Sequence, residues 1–436
     1  MGLKGLVIAA PHSGAGKTLV TLGLLRALRA RGLAVVSAKS GPDYIDPAFH
    51  AAASGADCVN LDGWAMGPEE LRALAARDGE LLVVEGAMGL FDGAPDADDP
   101  MGRGSVADVA AVLGLPVVLV LDVAKQAQTA AAVVAGLAGL RGDVRVAGVI
   151  LNRVGSPRHG SMVARAIAAT GVPVLGQVAR QAALDMPSRH LGLVQAGEYA
   201  ALEDFIDRAA ALVGAGVDLD ALLALAGDVA TGAPVAGLAP LGQRIAVARD
   251  AAFAFAYPHM LAAWRRAGAE VSFFSPLADE GPAADADAVF LPGGYPELHA
   301  GRLADCDGFR QGMAAARDRG ALLYGECGGY MALGRGLVDG DGQAHRMLGF
   351  LPVETSFARR RLHLGYRNLR PLAGLPWRGA LKGHEFHYAT HTAAAGPALF
   401  GAADSLGADL PDMGQVAGRV CGSFAHVISQ VRAQKI

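Results

Sequence analysis

The sequence predicts an α/β protein of two domains, the first organised around a mostly parallel sheet. Two observations carry this. Short apolar, β-branched runs alternate with Ala/Leu-rich helical segments through the first half of the chain, at Gly5–Ala10, Leu33–Ala38, Leu81–Glu85, Val117–Asp122 and Val146–Asn152. Continuous apolar strands separated by helices are buried on both faces, which is the mark of a parallel sheet. The alternation then stops and restarts. Asp218–Ala226 reads as one more short helix, and Gly227–Gln243 is rich in Gly, Ala and Pro with almost no charge, as a linker would be. Beyond it, Arg244–Ala248, Glu270–Phe274, Ala288–Leu291 and Ala321–Gly325 read as strands, with helices at Tyr257–Ala267 and Leu303–Arg319. The expected division is therefore 1–226, a linker at 227–243, and 244–436.

Bulk properties narrow the function classes. The chain has 436 residues, 52% hydrophobic and 18% charged, with net charge −4. That length suits two or three domains with their own cores. The charge predicts no nucleic-acid or membrane-surface partner. The longest apolar stretches, Val109–Leu121 and Gln126–Leu140, are closed by charged residues and fall short of the roughly 18 residues of a spanning helix. The N-terminus runs straight into a strand, without a signal-peptide pattern. Cys58, Cys306, Cys327 and Cys421 have no metal-ligand spacing and suggest no disulfide framework, so the expected compartment is the cytoplasm.

Gly5–Ala10 leads into Pro11-His12-Ser13-Gly14-Ala15-Gly16-Lys17-Thr18 and a helix. The Gly-Lys-Thr ending is that of a P-loop, although Pro11 replaces the usual first Gly. Backbone N–H groups of Ser13, Gly14, Ala15 and Gly16 would cradle phosphates, Lys17 would reach the outer phosphates, and Thr18 would hold Mg²⁺. Two carboxylates are candidates to complete the metal site: Glu85 at a strand end and Asp43 after the second strand. Either could instead cap a turn. Asn152, at another strand end, could pair with the adenine edge or cap a helix.

The sharper signal is Leu322-Leu323-Tyr324-Gly325-Glu326-Cys327-Gly328-Gly329-Tyr330. A strand meets Gly-x-Cys-x-Gly and a helix, the thiol version of the nucleophile elbow. A thiolate there would gain from the helix dipole. The other three Cys lack this setting and read as small buried hydrophobes. His426 is a candidate base, and His384 and His387 compete with it. Leu291-Pro292-Gly293-Gly294-Tyr295 ends a strand in paired glycines, so Gly293 and Gly294 could form an oxyanion hole.

Together these motifs resemble a known family. Gly325–Gly329, Pro292–Glu297 and His426 resemble the class I glutamine amidotransferase domain. The N-terminal half is similar to the dethiobiotin-synthetase-like P-loop fold. The combination resembles the cobyrinic acid and hydrogenobyrinic acid a,c-diamide synthase family of cobalamin biosynthesis. The most telling segments are Gly41–Pro47, Asn60–Trp64, Glu85–Gly93, Gly148–Arg158, Pro187–Leu193, Arg244–Tyr257, Phe274–Asp279 and Gly383–Tyr388.

The resemblance implies that Cys327 takes glutamine as a thioester with help from His426. ATP then activates a tetrapyrrole carboxylate, and ammonia displaces the phosphate. Asp43, Tyr44 and Glu85 match positions associated with substrate and metal, and P-loop relatives often form homodimers. One departure stands out. Triad-type enzymes place Glu two residues after the His, where this chain has Ile428, so another group must orient the imidazole. Arg359, Arg360, Arg361 and His363, or Arg189 and His190, could attract a substrate rich in carboxylates. Alternatives are cobyric acid synthase, which lacks the Gly-Pro-Asp-Tyr-Ile-Asp segment, a nickel-sirohydrochlorin diamide synthase, and a P-loop regulatory ATPase with an inactive glutaminase-like module. Against the last stand His12, where such ATPases carry a signature Lys, and the intact Gly-x-Cys-x-Gly. The ring metal is not visibly encoded. The scarcity of Lys against Arg hints at a GC-rich bacterial genome and favours the metal-free hydrogenobyrinate.

Overall fold

A computed structural model describes residues 2–181, 188–189, 192–193 and 195–431. The chain divides into two compact units, Met1–Val235 and Ala236–Ile436.

In the first unit seven strands run parallel. They are β1 (Lys4–Ala9), β2 (Val35–Ser40), β3 (Cys58–Leu61), β4 (Leu81–Glu85), β5 (Val117–Asp122), β6 (Val146–Val154) and β7 (Val174–Ala179). Their order is β3-β2-β4-β1-β5-β6-β7. β1 therefore lies between β4 and β5, and the loop after it opens where the winding changes direction. That is where an open α/β sheet gathers ligands. Two helices border this edge: α1 (Lys17–Ala30) after β1 and α2 (Asp46–Ser54) after β2. α2 starts on Asp46-Pro47, with Pro in the first turn where a missing N–H costs nothing, and ends at Gly55 in the left-handed conformation.

Most strands fall where the apolar runs predict. The second is displaced toward its C-terminus, ending at Ser40, so that Lys39 belongs to a buried strand. β3 and β7 escape the pattern because they are short or only partly covered. Gly227–Asp228 pairs antiparallel with β1, Lys4 opposite Asp228, and the unit boundary falls at Val235.

The second unit has a six-stranded sheet whose core is the parallel set Glu270–Phe274, Arg244–Ala248, Ala288–Leu291, Leu322–Glu326 and Val420–Ser423, in that spatial order. The single helix expected at Leu303–Arg319 is two, Ala300–Asp305 and Asp307–Asp318. Cys306 between them is extended, at φ −80° and ψ 90°, which ends the first helix and lets Asp307 start the second. Beyond Leu333 the chain builds two further, largely antiparallel sheets of four and five strands. Among the described residues, no helix is long and apolar enough to cross a membrane.

Candidate functional site

In the first unit, a cavity of about 1060 Å³ opens over the C-terminal ends of the strands. The loop after β1 forms its floor. Gly14 and Gly16 take positive φ, at 79° and 88°, which the tight loop requires and which glycine adopts without strain. Ser13, Gly14, Gly16, Lys17, Thr18, Asp43, Glu85 and Asn152 all line the cavity. Tyr44 is half-buried beside Asp43 and is not part of that lining. Ala15 is wholly buried, and its carbonyl accepts from Asn152 Nδ2 at 2.8 Å.

This last contact extends the reading of Asn152. Its oxygen accepts from the Arg153 N–H at 2.9 Å, and its amide nitrogen lies directly beneath Gly16. The two contacts use one of the amide's two N–H donors and one lone pair of its oxygen, so Asn152 supports the phosphate loop and still has a donor and an acceptor to offer an adenine edge. Asp43 does what the alternative reading of that residue foresaw. Its Oδ1 accepts from the N–H groups of Ile45 and Asp46, at 2.8 and 3.0 Å, and so caps the entry to α2. Its other oxygen has no part in the cap. Asn60, within β3, donates to the carbonyls of Gly41 and Asp43 and so ties that strand to this loop.

Glu85 is the hub. Thr18 Oγ1 donates to its Oε1 at 2.7 Å, Lys39 Nζ to the same oxygen at 2.8 Å, and His50 Nε2 lies 2.6 Å from its Oε2. Lys39 also pairs with Asp46 at 2.5 Å. Glu85, Lys39, His50 and Asp46 are all buried. Burial opposes the charge on Glu85, but Lys39 and His50 outweigh it and hold the carboxyl well below the usual range. On Lys39 burial likewise opposes the charge, and Asp46 and Glu85 raise it above the ordinary lysine value. Asp46 is the weaker partner. Burial and repulsion from Asp43 exceed the pull of Lys39 and push it to about 6. Sequence reading gave no role to Lys39, Asp46 or His50, although Asp46 lies within the Gly41–Pro47 segment and Lys39 directly follows the predicted strand Leu33–Ala38. Cys58, read as a plain hydrophobe, places its Sγ 3.6 Å from His50 Nδ1.

Glu85, Thr18 and Asp43 offer hard oxygen donors, the set Mg²⁺ prefers. Lys17 is held between the carbonyls of His12 and Met88. Burial, reinforced by Lys39, lowers its ammonium to about 8.

In the second unit Leu322–Glu326 ends at Cys327, which adopts φ 47° and ψ −104°. A non-glycine residue pays strain for such a backbone, and the strain lifts the side chain off the sheet. Neighbouring glycines make the turn possible: a Cβ on Gly329 would lie 1.9 Å from the Leu291 carbonyl oxygen, and one on Gly325 2.6 Å from the Gly329 backbone. The gain expected for a thiolate from the helix dipole is outweighed. Burial, then repulsion from Glu297, push the Cys327 thiol up, and the Gly328 N–H offsets this only in part. The following helix has six residues, too short for a full dipole.

Cys327 and His426 converge on Gly293. A Cβ placed there would lie 3.3 Å from Cys327 Cβ and 2.3 and 2.9 Å from His426 Cε1 and Nε2. Gly294 is similarly confined, with its N–H beside Gly328. The competing histidines are placed differently. His387 has Nδ1 3.0 Å from the Ala389 carbonyl and Nε2 2.8 Å from Glu385, which Arg367 also binds. Burial, then His426, lower His384 to about 3. Arg359, Arg360 and Arg361 are exposed, and His363 is half-buried against His387. His190 and the side chain of Arg189 lie outside the described residues.

The Gly293 contact makes a prediction. Gly293→Ala drives a methyl into the His426 ring, so glutamine-supported turnover should fall by about 10²-fold or more, the scale of a lost oxyanion-hole donor. Ammonia-supported turnover should be unchanged. Parallel assays with glutamine and with an ammonium salt check it.

Residues 6–194 match the CobQ/CobB/MinD/ParA nucleotide binding domain, and residues 244–434 match the CobB/CobQ-like glutamine amidotransferase domain. A hydrogenobyrinate a,c-diamide synthase of Brucella abortus biovar 1 (strain 9-941) is 58% identical over 434 residues, covering 98% of each chain. Those of Rhizobium meliloti (strain 1021) and Mesorhizobium japonicum (strain LMG 29417 / CECT 9101 / MAFF 303099) are 56% and 52% identical. They cover 98% and 99% of this chain, and 99% and 100% of their own. With a nucleotide-binding unit and a thiol elbow in one chain, and with this identity along nearly all of it, the chain belongs to the hydrogenobyrinate a,c-diamide synthase family of glutamine-dependent amide ligases.

Proposed function

We propose that this chain converts the a and c acetate side chains of hydrogenobyrinic acid into amides, using ATP and the amide nitrogen of glutamine. The observation that carries the reading is the pairing of a P-loop cavity centred on Glu85 with a strained Cys327 elbow, in a chain 58% identical to a relative of that name.

Cys327 gives its proton to His426 Nε2, and its sulfur attacks the carboxamide carbon of glutamine. The N–H groups of Gly293 and Gly294 receive the developing oxyanion. Collapse breaks the C–N bond, the imidazolium proton passes to the leaving nitrogen, and ammonia departs. Water activated by His426 then hydrolyses the thioester to glutamate. Because burial holds the thiol protonated, the base is indispensable.

In the other unit the N–H groups of Ser13 to Gly16 and Lys17 bind the phosphates of ATP. A substrate carboxylate takes the terminal phosphoryl group, and ammonia displaces phosphate from the acyl phosphate. Thr18, Glu85 and Asp43 would hold Mg²⁺, which neutralises charge on the phosphates. Asn152 keeps the loop in shape through Ala15.

Lys17 predicts a pH dependence. Its pKa of about 8 in the free protein rises when phosphates surround it, so binding takes up a proton above that pH. ATP affinity should therefore be highest below pH 8 and fall as pH rises past it. Calorimetry in buffers of different ionisation enthalpy should show proton uptake near pH 9, and Lys17→Ala should abolish it.

The function is tested by supplying ATP, Mg²⁺ and glutamine with hydrogenobyrinic acid or its cobalt-containing counterpart, and counting amides by mass. Two amides on the metal-free substrate support the proposal. Amidation of the cobalt compound alone overturns the substrate assignment.

A further inference from the structure

His426 needs an acid behind it, and position 428 supplies Ile. The geometry points to Glu326, the residue immediately before the nucleophile, as the positioning residue that holds the His426 imidazole through Nδ1. This rests on the assignment of Cys327 and His426 as the glutaminase pair.

The strand Leu322–Glu326 alternates its side chains, so Tyr324 and Glu326 share one face. The strained backbone at Cys327 then sends the thiol elsewhere. Nucleophile and carboxylate can thus be adjacent in sequence without competing for one space. Glu326 is 1% exposed and is anchored through one oxygen: Oε1 accepts from Tyr324 OH at 2.9 Å and from the Val427 N–H at 3.1 Å. Its other oxygen, Oε2, is buried, makes no hydrogen bond among the described residues and lies 3.6 Å from His426 Nδ1. At that distance the contact is not yet a hydrogen bond, and it becomes an ion pair only when the imidazole takes a proton. Catalytic hydrogen bonds are often long without substrate and tighten in the reacting complex.

The arrangement performs the work of a triad acid by another route. Glu326 Oε2 accepts the Nδ1–H of His426, which leaves Nε2 with its lone pair toward Gly293 and Cys327. As Nε2 takes the thiol proton, an imidazolium forms in a dry interior, where the nearby carboxylate stabilises it strongly. The Val427 N–H ties the acid to the strand that begins at His426, so Glu326 and the imidazole share one rigid frame. His384, opposite His426 in the adjoining strand, is held neutral and offers no such charge.

Glu326→Gln tests this. The new side chain keeps its volume. Its carbonyl oxygen still serves Tyr324 and Val427, which turns the amide NH₂ toward Nδ1. That favours the tautomer with its proton on Nε2, the wrong one for a base. Glutamine-supported kcat should fall about 10²–10³-fold, below the roughly 10⁴-fold seen when a serine triad loses its acid. KM for glutamine should stay within about threefold, because the loss acts on the transition state. Ammonia-supported amidation, which depends on the other unit, should persist, and an unchanged circular dichroism spectrum and melting profile show that the second unit is folded.

The deciding measurement is the double variant Glu326→Gln/His426→Ala, which should be no slower than His426→Ala alone, since groups acting as a unit are not additive. Losses that multiply, or a glutaminase within a few-fold of the original, overturn the proposal. If His426→Ala itself leaves glutamine-supported turnover intact, the Cys327–His426 assignment fails instead. Should Glu326→Gln fold poorly, Tyr324→Phe removes one anchor of the carboxylate and should lower kcat several-fold. That loss should vanish in the His426→Ala background, and its persistence there would refute the role.

Discussion

Cys327→Ser should abolish glutamine-supported amidation while amidation with an ammonium salt continues. The hydroxyl occupies nearly the thiol's space, so the strained turn at φ 47° should survive. What is lost is acidity. The site already disfavours the thiolate, because burial and Glu297 push the thiol up. A hydroxyl is harder still to deprotonate, and His426 cannot make up the difference. Removing the nucleophile of an acyl-transfer site costs on the order of 10⁴-fold or more in kcat. Ammonia-supported turnover depends on the other unit and should stay within a few-fold. A well-folded variant that loses both activities equally would refute the division of labour between the units.

The second large effect concerns stability. Lys39→Met leaves Asp46 and Glu85 buried without the cation that pairs with both. Removing one partner from a buried ion pair typically costs about 3–5 kcal/mol. Hydrogen exchange in β2, α2 and β4 should accelerate accordingly, and nucleotide binding should be lost with the displaced Glu85.

The loss should depend on pH in a definite sense. Lys39 has a raised pKa in the folded chain, so its contribution is complete below the ordinary lysine value and disappears only at strongly alkaline pH. Glu85 has a lowered pKa, so its contribution is present above pH 4.5 and fades as pH falls below that. Asp46, raised to about 6, acts oppositely: its contribution is complete below pH 3.8 and is lost as pH rises through 6. Without Lys39, Asp46 loses its paired cation and prefers its proton, while Glu85 keeps His50. The gap between variant and parent should therefore narrow as pH drops from 7 toward 5. A gap that is constant over that range would mean that lost packing, and not unpaired charge, is the cause.

Sequence and structure divide this protein along a physical line. The apolar runs located β1, β4 and β5 well because a strand buried on both faces must be apolar throughout, whatever its neighbours. Gly14 and Gly16 announced the phosphate loop because few other residues accept positive φ there. Gly325 and Gly329, on either side of Cys327, announced the elbow for a different reason, because a Cβ on either would strike neighbouring backbone. Those are local requirements, written into consecutive residues.

The rest depends on which strand ends the sheet brings side by side. Lys39 and Glu85 are far apart in the chain and meet only because β2 and β4 are neighbours, with Lys39 opposite Glu85 in register. His50 joins them through α2, and nothing in its own surroundings distinguished it from a core histidine. The contest among His426, His384 and His387 was open in sequence. It was narrowed by where Gly293 sits and by the carbonyl and carboxylate already engaging His387. Glu326 was in view from the start, yet as the residue before the nucleophile it seemed part of the turn. Only the tertiary structure sets it 3.6 Å from an imidazole a hundred residues later. Backbone conformation is a short-range property, so the sequence alone determined the loop, the elbow and most strands; charge pairing acts through space, so only the fold decided which buried groups hold the reacting ones in place.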